Sequence, residues 1–294
     1  ANAIRRTYHV DGKPRAFDAD AQAWLAAIIP RMYRLTGVNA EARAKRLLSE
    51  GGVPRLLQEI SILDNDNVRA EYLGQLFAQA KPDDAQTAQA LAAMAKIGSD
   101  FEKRRALEIA LSQSKIGIEN QTRLLAMAAE IGSDFERAEW LVKAAPKLPF
   151  EGANVAAWST AMRAFGSDFE RKRTLQAVIE EGRPQPQAVM LALQSMRGMN
   201  SDFEQRSVLE SVADADVALA DTDYFAAIDA IDSDFEKREA LVALIRSDAP
   251  DLARSRAVLS AVGRIDSDFE RREVLQALAA VMPNDATLIE DFRG

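Results

Sequence analysis

Ile97-Gly98-Ser99-Asp100-Phe101-Glu102 decides the fold, because its last four residues return five more times. Ser-Asp-Phe-Glu begins at Ser99, Ser133, Ser167, Ser201, Ser233 and Ser267, so the spacing is constant except for one short step between Ser201 and Ser233. An eroded copy lies one step earlier, where Asn65-Asp66 and Leu73 match Ser99-Asp100 and Leu107. A fixed period of this size marks an array in which each unit stacks on its neighbours. Such a core grows along one axis, so 294 residues need not split into the usual two compact domains.

The phrase reads as a helix stop, a turn and a helix start. Before each copy stands an apolar residue that closes a first helix, helix A: Leu63, Ile97, Ile131, Phe165, Met199, Ile231 or Ile265. Next comes Asp64, Gly98, Gly132, Gly166, Asn200, Asp232 or Asp266, of the types that tolerate a left-handed helix end. Ser then N-caps a second helix, helix B, and Glu three positions on completes a Ser-x-x-Glu capping box. Counting Ser as zero, positions 7, 8, 11 and 12 of helix B form one apolar stripe. They are Ala106, Leu107, Ala110 and Leu111 in the first full copy, and Val274, Leu275, Leu278 and Ala279 in the last.

The expected architecture is all-α, a right-handed α-solenoid of 34-residue helical hairpins with a small N-terminal β-hairpin. Residues 1–17 form that hairpin or the remnant of an upstream domain, with Asp11-Gly12 as the turn. Residues 18–52 are N-terminal capping helices, the first capped by Asp18, interrupted by Pro30 and closed by Gly37. Residues 53–282 make seven two-helix repeats, and residues 283–294 a C-terminal cap with a short helix over 286–292.

The formal charge of −8 argues against nucleic acid as the main partner. No apolar run reaches membrane-spanning length, so no membrane insertion is expected. With no Cys there is neither thiolate chemistry nor a Cys zinc site, and the composition is that of a globular, soluble chain. The sole histidine, His9, lies in the hairpin, and no zinc, phosphate-loop or nucleophile-elbow motif occurs. No catalytic residue, metal or cofactor is therefore expected.

Three features of the array could carry function. Asp at position 1 and a base at position 5 form i,i+4 pairs: Asp100/Arg104, Asp168/Lys172, Asp202/Arg206, Asp234/Arg238 and Asp268/Arg272. These are expected to run as an ion-pair ladder between successive B helices. The rings at position 2, Phe101, Phe135, Phe169, Phe203, Phe235 and Phe269, are expected to plug the seam to an adjacent helix; the alternative is an exposed aromatic row that docks a partner. The acidic stretch from Asp214 to Glu236, with Asp216, Asp221, Asp223, Asp229, Asp232 and Asp234, reads as a solvated loop and caps, or else as a weak cation or basic-peptide contact.

The tetratricopeptide pattern is missing despite its matching period. The two-helix unit with Asp and a basic residue opening helix B resembles HEAT-type repeats, whose Asp and Arg form inter-repeat ladders; here the spacing is i,i+4 rather than that family's longer interval. The chain as a whole is similar to segments of bacterial envelope-associated proteins, some attached to BlaR-type membrane metallopeptidases. The residues that carry this likeness are Tyr8-His9-Val10-Asp11-Gly12-Lys13, Phe17-Asp18 and Trp24-Leu25, with the repeated Ile-Gly-Ser-Asp-Phe-Glu-Arg. The resemblance implies a sensing or interaction region, favours the periplasm or envelope over the cytoplasm, and lends no catalytic residue.

The function expected is a non-catalytic scaffold that binds a protein or peptide along one helical face. If B helices line that face, positions 6 and 9 meet the partner, including Arg105, Glu108, Glu139, Arg173, Gln176, Glu210, Glu239 and Gln276. The alternatives are a helical-toroid enzyme using paired carboxylates on a saccharide, and a structural spacer.

Overall fold

The computed structural model describes residues 7–113, 115–181, 185–215 and 221–293. The fold is all-α apart from one hairpin, and its helices pack in neighbouring pairs as a helical-repeat solenoid does. The chain divides into two compact units, residues 1–116 and 117–294.

Unit 1 opens with an antiparallel hairpin of β1 (Tyr8–Val10) and β2 (Lys13–Arg15), in which Tyr8 faces Arg15 and His9 faces Pro14. Asp11 and Gly12 both have positive φ, 50° and 76°, the turn whose twist matches the strands. The hairpin does not stand alone: the Tyr8 ring meets Phe17 at 6.5 Å and Trp24 of α1 (Ala19–Thr36) at 6.0 Å. Asp18 caps α1 by accepting from the Ala21 N–H, and Gly37, with φ of 66°, ends it. Pro30 does not break α1. The carbonyl it leaves without a helical partner belongs to Ala26, on the exposed side of the helix, where it is open to solvent.

α2 spans Ala40–Ser61 with a break at Gly51 and Gly52, the latter at φ 65° and ψ −161°, a region open only to glycine. Its second half is helix A of the first repeat. Buried Glu59 in that half receives Arg34 from α1 at 2.8 Å and Arg43 from the first half at 2.8 Å, so one carboxylate ties all three pieces. Burial alone would raise the Glu59 carboxyl; hydrogen bonds and charge from the two arginines outweigh it and hold the group below its ordinary value. α3 (Asp66–Gln79), α4 (Asp84–Met94) and α5 (Asp100–Leu111) complete the unit.

Unit 2 alternates strictly. Helices α6 (Ile118–Ala129), α8 (Ala153–Arg163), α10 (Pro186–Met196), α12 (Asp221–Ile228), α14 (Leu252–Val262) and α16 (Ala286–Arg293) form the A layer. Helices α7 (Asp134–Ala144), α9 (Asp168–Glu181), α11 (Asp202–Asp214), α13 (Asp234–Ser247) and α15 (Asp268–Ala279) form the B layer. Each helix packs on its neighbours in the same layer, and α6 with α7, α10 with α11, α12 with α13 and α14 with α15 also pack as hairpin mates. The position-8 leucines Leu141, Leu175, Leu209 and Leu241 are wholly buried between the layers. Each contributes about 2 kcal/mol on area grounds. In the one short repeat, the buried Tyr224 hydroxyl of α12 shares its single proton between the Leu209 and Ala240 carbonyls, at 3.3 and 3.2 Å, bridging α11 and α13. α16 follows α14 by one full repeat step, from Leu252 to Ala286, packs against it and buries Leu288.

The turns correct the expected helix stop. Among the described residues, left-handed backbone is confined to Asp11, Gly12, Gly37, Asn39, Gly52 and Gly152. Gly98, Gly132, Gly166, Asn200, Asp232 and Asp266 do not adopt it. Gly98, Gly166, Asn200 and Asp266 serve the turn through their N–H groups instead.

Candidate functional site

The Ser-Asp-Phe-Glu phrase builds a joint between repeats, and each residue does a different job there. Ser caps its own helix: Ser201 Oγ accepts from the Glu204 N–H at 3.4 Å, and the other five copies do so at 3.3 or 3.4 Å. The reciprocal half of the capping box does not form at Ser99, Ser167, Ser201, Ser233 or Ser267. In each of these the Ser N–H is already taken by the Asp of the preceding repeat.

That Asp has a role the sequence concealed. Asp168 Oδ2 accepts from the N–H of Asn200 at 2.7 Å and of Ser201 at 3.0 Å, both in the next repeat. Asp134 holds Gly166 and Ser167, Asp234 holds Asp266 and Ser267, and in unit 1 Asp66 holds Gly98 and Ser99. Asp202, which opens the short step, reaches Ser233 only. The i,i+4 pairs expected at Asp168/Lys172, Asp202/Arg206 and Asp234/Arg238 therefore do not form; their carboxylates serve backbone N–H groups.

The bases at position 5 still make a ladder, with a different acid. Lys172 pairs with Glu204 at 3.2 Å, Arg206 with Glu236 at 2.5 Å and Arg238 with Glu270 at 2.5 Å, each Glu belonging to the next repeat. This occupies the Glu that the capping box would have used.

Position 4 was not singled out in the sequence, yet it closes the joint. Arg171 donates to the Phe165 carbonyl ending its own helix A and to the Gly198 carbonyl ending the next one. Arg69 and Arg137 do the same with Leu63 and Lys96, and with Ile131 and Ala164. Buried Gln205 reaches Met199 alone. The available signal was a long polar residue one helical turn before the Leu of position 8, on the same buried side of the helix.

The rings at position 2 do not plug the seam. Phe101, Phe135, Phe169, Phe203, Phe235 and Phe269 are each about half exposed, from 49% at Phe101 to 56% at Phe269. The ladder fills the seam, and its cations lie over the rings: Lys172 over Phe169 at 4.8 Å, Arg206 over Phe203 at 4.8 Å and Arg238 over Phe235 at 4.6 Å. Arg173 reaches back over Phe135 of the preceding repeat at 5.8 Å. One face of each ring is thus held by a cation, worth about 0.5–1 kcal/mol at such sites. The rest of the ring surface stays open.

The residues proposed at positions 6 and 9 are mostly engaged within the chain. Arg173 pairs with Glu139 of the preceding helix at 2.8 Å, Arg105 with Glu71 at 3.4 Å and Arg104 with Glu108 at 2.5 Å. Glu210 pairs with Arg206, Glu239 with Arg238, and Gln176 donates to Ser211. Gln276 is exposed.

The acidic stretch does not converge. Asp229 pairs with Arg264 at 2.8 Å, Asp234 and Glu236 belong to the joints, and Asp214 and Asp232 face solvent. Asp216 and the Asp221 side chain lie outside the described residues. Among the described residues no group of His, Cys, Asp or Glu could hold a metal ion, and no helix is long and apolar enough to cross a membrane.

No protein-family model, curated protein or solved structure matches this chain.

Proposed function

We propose that this protein is a non-catalytic repeat scaffold that binds a protein or peptide along the row of position-2 phenylalanines. One observation carries the reading: in unit 2, Phe135, Phe169, Phe203, Phe235 and Phe269 are half-exposed at the same place in five consecutive B helices. A stacked repeat needs no open aromatic ring in its first helical turn, and exposed apolar patches of this kind mark interaction sites. Aromatic anchors also dominate binding energy at protein interfaces. The likeness of the lead-in and the repeat phrase to envelope-associated segments favours a sensing or interaction region of a bacterial envelope system.

The test compares two baits, the native chain and a chain with Phe169→Ser, Phe203→Ser and Phe235→Ser, after both are shown to melt at the same temperature. A partner held by the first and lost from the second supports the reading. Equal recovery from both baits, or none from either, overturns it.

A further inference from the structure

We infer that a cleft inside unit 1 binds a small organic phosphate, a phosphomonoester with an apolar body. The cleft has a volume of about 440 Å³, ordinary for a small-ligand site. It lies where the C-terminal ends of α3 and α5 meet the start of α4. Phe101 stands in the first turn of α5, so the cleft is at the other end of that helix and is separate from the aromatic row. The chain leaves α3 through extended backbone at Ala80 and Asp83, and Pro82 between them cannot continue the helix.

The wall carries the charge and the donors of an anion site. Lys81 and Lys115 both line it, and neither forms an ion pair among the described residues. No acidic side chain is part of the described wall, although the chain as a whole has 45 acids against 37 bases. Thr87 of α4 is only 9% exposed and also lines the cleft. Thr122, Thr160 and Thr174 direct their hydroxyls to the carbonyl one helical turn back. Thr87 does not, and its hydroxyl has no hydrogen-bond partner among the described residues. A sheltered polar group without a partner is uncommon and calls for one. The Gln113 amide makes only long contacts, 3.4 Å to the Ile109 carbonyl and 3.5 Å to Ser112 Oγ, so it too is free to turn.

These groups choose the ligand. Lysine is a compact charge with three donors and no planar fork, which suits a phosphate better than a carboxylate held in two-point register. Two such charges match the dianion of a phosphomonoester. Thr87 and Gln113 supply neutral donors for the remaining oxygens. Pro82 and Ile116 are half-buried in the same wall and offer the carbon body an apolar surface. A bare phosphate ion would meet the donors and leave that surface wet.

The experiment titrates phenyl phosphate into the isotopically labelled full chain at about pH 8, where the probe is a dianion, and follows the amide chemical shifts. The expected result is saturable binding with a Kd of about 1 mM or tighter, with shifts centred on Thr87 and Gln113. Inorganic phosphate and phenol should each bind at least about tenfold more weakly. Lys81→Met combined with Lys115→Met should weaken phenyl phosphate by about tenfold or more, and Thr87→Val by about threefold to tenfold. Both variants should melt within about 2 °C of the native chain. Absence of saturable binding overturns the proposal, as does an affinity unchanged in the double lysine variant. Inorganic phosphate binding as tightly as phenyl phosphate shows a plain surface anion contact, and phenol binding as tightly shows a neutral apolar cleft; either overturns it. A Thr87→Val chain that melts lower yet binds as well as the native one makes Thr87 a packing residue and removes the hydroxyl from the site.

Discussion

Asp168 and Ser201 sit in different repeats and are joined by a hydrogen bond from the Ser201 N–H to Asp168 Oδ2 at 3.0 Å. The same oxygen accepts from Asn200. The carboxylate that opens one B helix therefore caps the B helix after it, and does so better than the Ser hydroxyl does at 3.4 Å. Asp168→Ala takes the charged acceptor from the part-buried Ser201 N–H and from the exposed Asn200 N–H and should cost about 2–3 kcal/mol. Ser201→Ala should cost less than about 1 kcal/mol. Denaturant titration of the two variants checks the order, and a larger loss at Ser201 contradicts it.

The short repeat offers an internal comparison. Asp202 holds one N–H of the next turn where Asp168 holds two. Asp202→Ala should therefore destabilise by about half as much as Asp168→Ala, or about 1–1.5 kcal/mol. Equal losses in parallel denaturant titrations would show that the second N–H adds nothing.

Arg171 closes two helix ends at once, on the Phe165 and Gly198 carbonyls. Arg171→Met keeps most of the side-chain volume and removes both bonds, at about 2–3 kcal/mol. Arg171→Gln, imitating Gln205 in the next repeat, should recover about half of that. Thermal melts of the pair provide the check; a glutamine no better than methionine refutes the clamp.

The Glu59 carboxyl is depressed in the folded chain, so its contribution is complete above the ordinary glutamate value of about 4.3. It is lost as the pH falls through the lower folded value. Melting temperature should thus drop on acidification below about pH 4, and Glu59→Gln should flatten that part of the profile. At neutral pH the same change leaves Arg34 and Arg43 facing a neutral amide and should cost about 3 kcal/mol. A variant whose acid limb matches the native one would remove Glu59 from the account.

The period, the Ser caps, the hairpin turn and the leucine face were legible because each is a local pattern. Asp11-Gly12 needs only its own backbone, and Leu209 only the helical wheel. The joint was not legible in the same way. Asp168 has Lys172 one turn away, a nearer and more familiar partner than an N–H in the following repeat. Distance in the chain hides what stacking brings together. The phenylalanines were misread for a linked reason. Placing Phe203 in the seam required the seam to be empty, and Arg206 with Glu236 already fills it. The left-handed turn at Gly98 was also expected from residue type alone. The true requirement there is an N–H aimed at Asp66, and Asn200 and Asp266 meet the same requirement at their own joints.

The crossed arrangement of the joint has a consequence for descent. Asp134, Asp168 and Asp234 each serve the two N–H groups of the following turn in the same way, so blocks that carry the whole phrase are interchangeable at that contact. Unequal recombination that inserts or deletes one such whole period keeps an Asp facing a turn at the new junction. The length of such an array is thereby free to drift between lineages in whole blocks. A smaller gain or loss instead unseats a carboxylate from its turn, as the short step already does in part at Asp202.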